Sequence, residues 1–399
     1  MLLNQPRAVA FMKQHGLDAL VATHPNHVTY ASNYGGHSPR IYPDRMVFAV
    51  LPLDLKAAIL APIGDASYLA ENRASIWAPE IWTYGTSKIT WPDDLKPDAD
   101  ERRLLEIIQD KDHNATSLPD LIARVLQSKG LGNAIVGLDG SGLNPEMSDK
   151  IRNTCANVVF LPATEIWREI ELIKTEEELD RMRKGAMVNE EAVAMVMTHI
   201  RPGVSETELL KAYAVDVTRR GGVLEFWNSA GGRRAGGFFP PGNYRLQKGD
   251  LYRFDAGMVL DHYHADTGGV CVLGEPTPRQ RELYEATKAG MEAALAVVRP
   301  GSTYEDVWRA GVTVVKEKGI RNYDILRPDL GHGIGIEPRV PSIAKGNKMP
   351  LEAGMVINVE VPYYEIGYGG LQIEYTLLVT SSGYELLIPA ERKLMVANL

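Results

Sequence analysis

Four carboxylates and one histidine sit where side chains are normally apolar. Asp255 and Asp266 fall in "LYRFDAGMVLDHYHADTGGVCVL", Glu360 in "AGMVINVEVPYY" and Glu374 in "GGLQIEYTLLVT", all segments rich in the β-branched and aromatic residues of strands. His332 lies in "LGHGIGIEPRVPS", among glycines that let a backbone approach its neighbour closely. Taken singly, an Asp or Glu near a strand end is solvated or paired. Taken together they are costly: a buried carboxylate takes up a proton unless compensated, and like charges sharing a site raise each other's pKa. Something cationic must balance them, either basic side chains or bound metal, and His332 offers the one nitrogen ligand that a carboxylate-rich site often includes.

The elements that would carry these residues can be read around them. Residues 1–165 alternate helical and strand-like patterns, with "DALVA", "RMVFAVLP", "AAILAP" and "AIVGLD" as short apolar runs, which predicts an α/β domain. A second domain, 166–399, opens on a long helix with Thr175 and Glu178 at capping-box spacing and an apolar stripe through Leu179, Met182, Ala186, Val193 and Val196. Inside it, "HIRPGVSETELLKAY" at 199–213 returns loosely as "VVRPGSTYEDVWRAG" at 297–311. Each copy turns on Pro-Gly and starts a helix at a Ser or Thr with an acid three residues on, Ser205/Glu208 and Thr303/Asp306. Two helix pairs, each followed by strands at 250–274 and 354–380, predict a pseudo-symmetric α+β domain.

Composition narrows the class of partner. With 43 Lys+Arg against 51 Asp+Glu the formal charge is −8, which argues against a nucleic-acid surface and for a small-molecule partner. No run of about 18 apolar residues appears, so no membrane span is expected. Cys155 and Cys271 lack C-x-x-C spacing and suit a reducing interior. With no leader-like h-region at the N-terminus, a cytoplasmic location is expected.

"FDAG" with a second Asp after ten residues, "GHGIG", "GMVINVE", "QIEYTLLVT" and "IKTEEELDRMRKGA" together resemble the M24 metallopeptidase family, which includes methionine aminopeptidase, aminopeptidase P and prolidase. The first domain resembles the creatinase/prolidase N-terminal domain in pattern. The resemblance implies a pita-bread catalytic domain, a homodimer, and two divalent ions held by Asp255, Asp266, His332, Glu360 and Glu374, with Asp266 and Glu374 bridging. Four carboxylates to one imidazole and no thiolate favour Mn²⁺, with Co²⁺, Fe²⁺ or Zn²⁺ as alternatives. Glu360 is then the natural proton shuttle.

The chain departs from the proline-specific members at three places. Where they carry two further histidines it has Phe238 and Arg339, and where they place an Arg two residues before the last Glu it has Gln372. Arg339 can fork onto a carboxylate but cannot exchange protons. His264 in "DHYHAD" is a candidate substitute, since alternation along a strand puts it on the face of Asp266. Trp227, Phe238, Phe239, Tyr363, Tyr364 and Tyr368 could wall a small apolar or cationic pocket. The glycine-rich, basic stretch at 33–45 reads as a surface loop, the alternative being a loop that reaches a partner subunit's active site, as in related dimers. The expectation is a metal-dependent hydrolase of a C–N bond, Xaa-Pro peptidase-like. The alternatives are a relative acting on a small polar metabolite, like ectoine hydrolase, creatinase or the dimethylsulfoniopropionate lyase, and a non-catalytic binding protein.

Overall fold

The computed structural model describes residues 1–389 and 392–397, and the chain divides after Glu171 into two units. In the first, β1 (Ala19–Ala22), β2 (Phe48–Pro52), β3 (Ala58–Pro62), β4 (Glu80–Tyr84), β5 (Asn114–Ala115), β6 (Ile135–Leu138) and β7 (Val159–Pro162) form one sheet in the order β5-β4-β3-β2-β1-β6-β7. Only β2 pairs antiparallel to its neighbours β1 and β3. The alternate inward positions Ala19, Val21, Val50, Leu60 and Val136 pack on Leu121, Ile122 and Val125 of the amphipathic helix Leu118–Ser128.

The 33–45 stretch is more than a plain surface loop. It contains the short helix Ser38–Ile41, and the buried Asp65 accepts hydrogen bonds from the Tyr34 hydroxyl and from the backbone N–H groups of His37 and Ser38. A carboxylate with that many donors stays buried without a counter-ion.

The second unit is built twice over. Helices Glu176–Met197 and Glu206–Arg219 pack on β8 (Val223–Gly231), β9 (Leu251–Leu260) and β10 (Tyr263–Leu273) around Val193, Leu209, Tyr213, Trp227 and Phe254. Helices Pro278–Ala296 and Tyr304–Glu317 share a core with β11 (Asp329–Ile334), β13 (Val356–Glu360) and β16 (Glu374–Val379). The second sheet runs β12-β11-β13-β16-β17, with β12 at Pro338–Ala344 and β17 at Tyr384–Leu386, and a small ribbon joins β14 (Tyr363–Glu365) to β15 (Gly369–Leu371). In the long first helix the buried stripe runs through Leu179, Met182, Gly185, Val188, Val193 and Val196, with Ala186 half-buried beside it.

The faint echo in the sequence is a full repeat in hydrogen bonds. Gly203 N–H donates to Leu246 O, and Leu246 N–H to Val204 O; Gly301 N–H donates to Leu351 O, and Leu351 N–H to Ser302 O. Both helices that follow carry capping boxes, Ser205/Glu208 and Thr303/Asp306. Gly249 and Gly354, each three residues beyond that leucine and each at positive φ, donate to Leu273 O and Val379 O. Each half therefore delivers a strand, β9 or β13, into the centre of the unit.

Candidate metal centre and active site

Asp255 lies on β9 opposite Gly268, and Asp266 on β10 opposite Gly257. Glu360 ends β13 and faces Glu374, the first residue of β16, across the antiparallel ladder. Like charges directly opposite are destabilising by themselves. His332 comes from β11, opposite Asn358. All five line one cleft of about 390 Å³. The glycines around them make room: a Cβ at Gly268 would lie 2.5 Å from Glu374 Oε2, and one at Gly331, where φ is +122°, would lie 2.0 Å from Asn358 O.

The electrostatics of the cluster call for a compensating cation. Oxygens of Asp255, Asp266 and Glu374 fall within 4.8 Å of one another, close enough to share an ion. Burial and then repulsion from Glu360 push Asp255 up to about 6. Asp266 and Glu374 are driven well above the ordinary carboxylate range, first by burial and then by the neighbouring acids. Asp266 Oδ1 is buried with no hydrogen-bond partner among the described residues. His332 Nδ1 lies 2.9 Å from Gly333 O, so it carries the proton and leaves a bare lone pair on Nε2. That lone pair stands 3.6 Å from Asp266 Oδ2, and burial lowers the pKa so that the ring is neutral. A lone pair facing a carboxylate is repulsive unless a cation lies between them. The five residues therefore fit a divalent-metal site.

Supporting side chains, of which only Gln372 stood out in the sequence, hold this geometry. Asn358 Nδ2 donates to Glu374 Oε1 at 2.7 Å, and its Oδ1 accepts from Thr376, whose hydroxyl also lies 3.2 Å from Asp266 O. Gln372 Nε2 donates to Glu374 Oε2 at 3.0 Å and to Glu360 Oε2 at 3.3 Å. Arg327 Nη2 sits 3.6 Å from Glu360 Oε1 and 3.5 Å from Asp329 Oδ1. Bonded ligands of this kind keep a metal site in shape.

Phe238 and Arg339 both line the cleft. Arg339 adopts a left-handed backbone, φ +67°, uncommon for a residue with a side chain, and its guanidinium lies 5.0 Å from the Phe226 ring centroid. It forms no ion pair with an acid of the described residues. His264 is not brought into the cleft: its Nδ1 is 2.7 Å from Glu225 Oε2. His262 falls in the turn before β10 at φ +73° rather than on the strand.

A model described as metallopeptidase family M24 matches residues 180–381, and one described as the creatinase/prolidase N-terminal domain matches residues 6–173. The chain belongs to the M24 metallopeptidase family. Among M24 relatives, the Xaa-Pro dipeptidase of Pyrococcus furiosus is 29% identical over 266 residues, covering 65% of this chain and 75% of the relative. An uncharacterized peptidase of Staphylococcus aureus is 30% identical over 233 residues, or 56% of this chain, and the match spans 65% of that relative's length. The fold is similar to that of dipeptidase PepE from Mycobacterium ulcerans, with TM-score 0.76, 24% identity and coverage of 99% and 97% of the two chains. It is also similar to an Xaa-Pro dipeptidase from Bacillus anthracis, with TM-score 0.79, 20% identity and coverage of 98% and 99%. The architecture is thus the M24 pita-bread unit preceded by its creatinase-type domain, as the sequence motifs implied.

Proposed function

We propose that the protein is a dinuclear-metal-dependent hydrolase that cleaves the C–N bond of a small substrate, with Xaa-Pro dipeptides as the substrate class. The observation that carries this reading is the convergence of His332 Nε2, the unpartnered Asp266 Oδ1 and the Asp255, Glu360 and Glu374 carboxylates on a dipeptide-sized cleft. Asp255, Asp266, His332, Glu360 and Glu374 would hold two ions, Mn²⁺ by the hardness of the donors. When bound, such ions supply hydroxide near neutral pH and polarise the scissile carbonyl. Glu360 takes the proton released by water and returns it to the leaving nitrogen, and Arg327 and Gln372 hold its two oxygens in place. Arg339, an exposed cation on the cleft, draws in and holds an anionic group of the substrate.

The homodimer and cytoplasmic location expected from the sequence belong to this reading; no helix among the described residues is long and apolar enough to cross a membrane. A second reading, a small polar metabolite as substrate, is favoured by Phe238 and Arg339 lining the cleft where proline-specific relatives use histidine. Reconstitution with Mn²⁺, Co²⁺, Fe²⁺ or Zn²⁺ followed by a screen of Xaa-Pro dipeptides, cyclic amides and onium metabolites separates the two. Turnover of dipeptides supports the first reading; turnover confined to metabolites supports the second.

A further inference from the structure

Behind the cleft lies a cation that the metal chemistry does not use. Arg253, two residues before Asp255 on β9, is 0% exposed. Its Nη1 donates to Gln372 Oε1 at 3.3 Å, while Nε and Nη2 are buried with no hydrogen-bond partner, and no acid of the described residues forms an ion pair with it. Its neighbours are the rings of Phe238 and Tyr364, whose centroids lie 5.4 and 5.2 Å from Cζ. Those rings offset part of the charge, but they offer no lone pair to the N–H groups. A buried guanidinium left so incompletely satisfied calls for an explanation outside the protein's own groups.

The two unpartnered nitrogens are the ones that share an edge of the guanidinium. Their N–H groups run parallel, which is the arrangement that two oxygens of a carboxylate accept. Phe238 stands at the boundary: it lines the cleft, lies against Arg253, and is itself 67% exposed on the segment that follows Gly236 and Gly237. Arg253 and Asp255 share a strand face and are separated by roughly 7 Å, about the length of two extended residues.

We propose that the Nε/Nη2 edge of Arg253 is the seat of the substrate's terminal carboxylate, reached from the cleft when Phe238 turns aside. The proposal rests on the peptidase reading and names its substrate class: dipeptides with a free C-terminus. Gln372 holds the guanidinium from behind while its amide group holds Glu360 and Glu374, so the seat and the reacting centre share one positioning residue. Arg339 then serves a second acid, the side chain of an acidic Xaa residue, from the exposed side.

The test compares Ala-Pro with Ala-prolinamide on the Mn²⁺-loaded enzyme. Wild type should favour the free carboxylate by about 30-fold or more in kcat/KM. Arg253→Met should erase the preference, and Arg253→Lys should raise KM for Ala-Pro more than it lowers kcat, because charge remains and the fork is lost. Phe238→Ala leaves Arg253 in place, and by admitting water it should reduce the preference by about threefold or more. Equal use of both substrates by wild type, or a preference that survives Arg253→Met, overturns the seat and leaves the peptidase reading standing. If wild type cleaves neither substrate, the peptidase reading falls. Calorimetry with proline and prolinamide then decides the seat: tighter binding of proline that Arg253→Met abolishes upholds it, and equal or absent binding overturns it.

Discussion

Asp255 and Glu360 occupy the same position in the two halves of the catalytic unit. Asp255 follows Leu246 by nine residues and Glu360 follows Leu351 by nine, and the two leucines close equivalent backbone hydrogen bonds. Internal symmetry thus brings one carboxylate from each half to the same cleft, although their neighbours differ: Asp255 faces Gly268 and Glu360 faces Glu374. In the proposed mechanism these unequal surroundings make Asp255 mainly a ligand and Glu360 the proton carrier.

Glu360→Gln tests that division. The substitution preserves shape, keeps one oxygen to bind, and removes proton transfer, so kcat should fall by about 10²–10⁴ while KM moves only a few-fold. Activity equal to wild type would place the base on another residue.

Arg339→Lys should raise KM for a dipeptide with an acidic Xaa side chain, such as Glu-Pro, roughly tenfold with kcat little changed, because a lysine keeps the charge and loses the two parallel donors. An unchanged KM would assign Arg339 to packing against Phe226 alone.

Stability of the metal-free protein should depend on pH in an unusual direction. Asp255 is held up at about 6, above its ordinary 3.8, and Asp266 and Glu374 are also raised. Folding therefore favours their protonated forms; that contribution is present at low pH and is lost as pH rises through about 6. The metal-free protein should melt lower at pH 7.5 than at pH 5 by about 4 °C or more, and added divalent metal should remove the loss. A melting temperature that rises over this interval in metal-free protein, or one that Asp255→Asn leaves unaltered, would contradict the charge cluster.

Much of the centre was legible because acids inside apolar strands are conspicuous. Asp255, Asp266, Glu360 and Glu374 each interrupt a β-branched run, and the pleat delivers them to one cleft with His332. Asn358 and Thr376 carried the same signal in weaker form, as polar residues two positions from Glu360 and Glu374 on the same strand face. Arg253 was passed over although an arginine between Tyr252 and Phe254 is just as anomalous; its partner Gln372 is 119 residues away, and sequence periodicity carries no information on that pairing. His264 shows the complementary limit. Alternation assigns a face, but the carboxylate that the imidazole meets belongs to Glu225 on the far side of the β8-β9-β10 order, which local pattern does not reveal. The repeat was faint because only its turns and caps keep their residue types, while the backbone hydrogen bonds that define it are open to any sequence.

Metal content is the most direct measure of the centre. Elemental analysis of the protein reconstituted with Mn²⁺ and freed of loosely bound ions should give about two ions per chain, and Glu374→Ala should lose at least one of them. Protein that holds no ion after reconstitution with Mn²⁺, Co²⁺, Fe²⁺ or Zn²⁺ would contradict the assignment of Asp255, Asp266, His332, Glu360 and Glu374 as a metal centre.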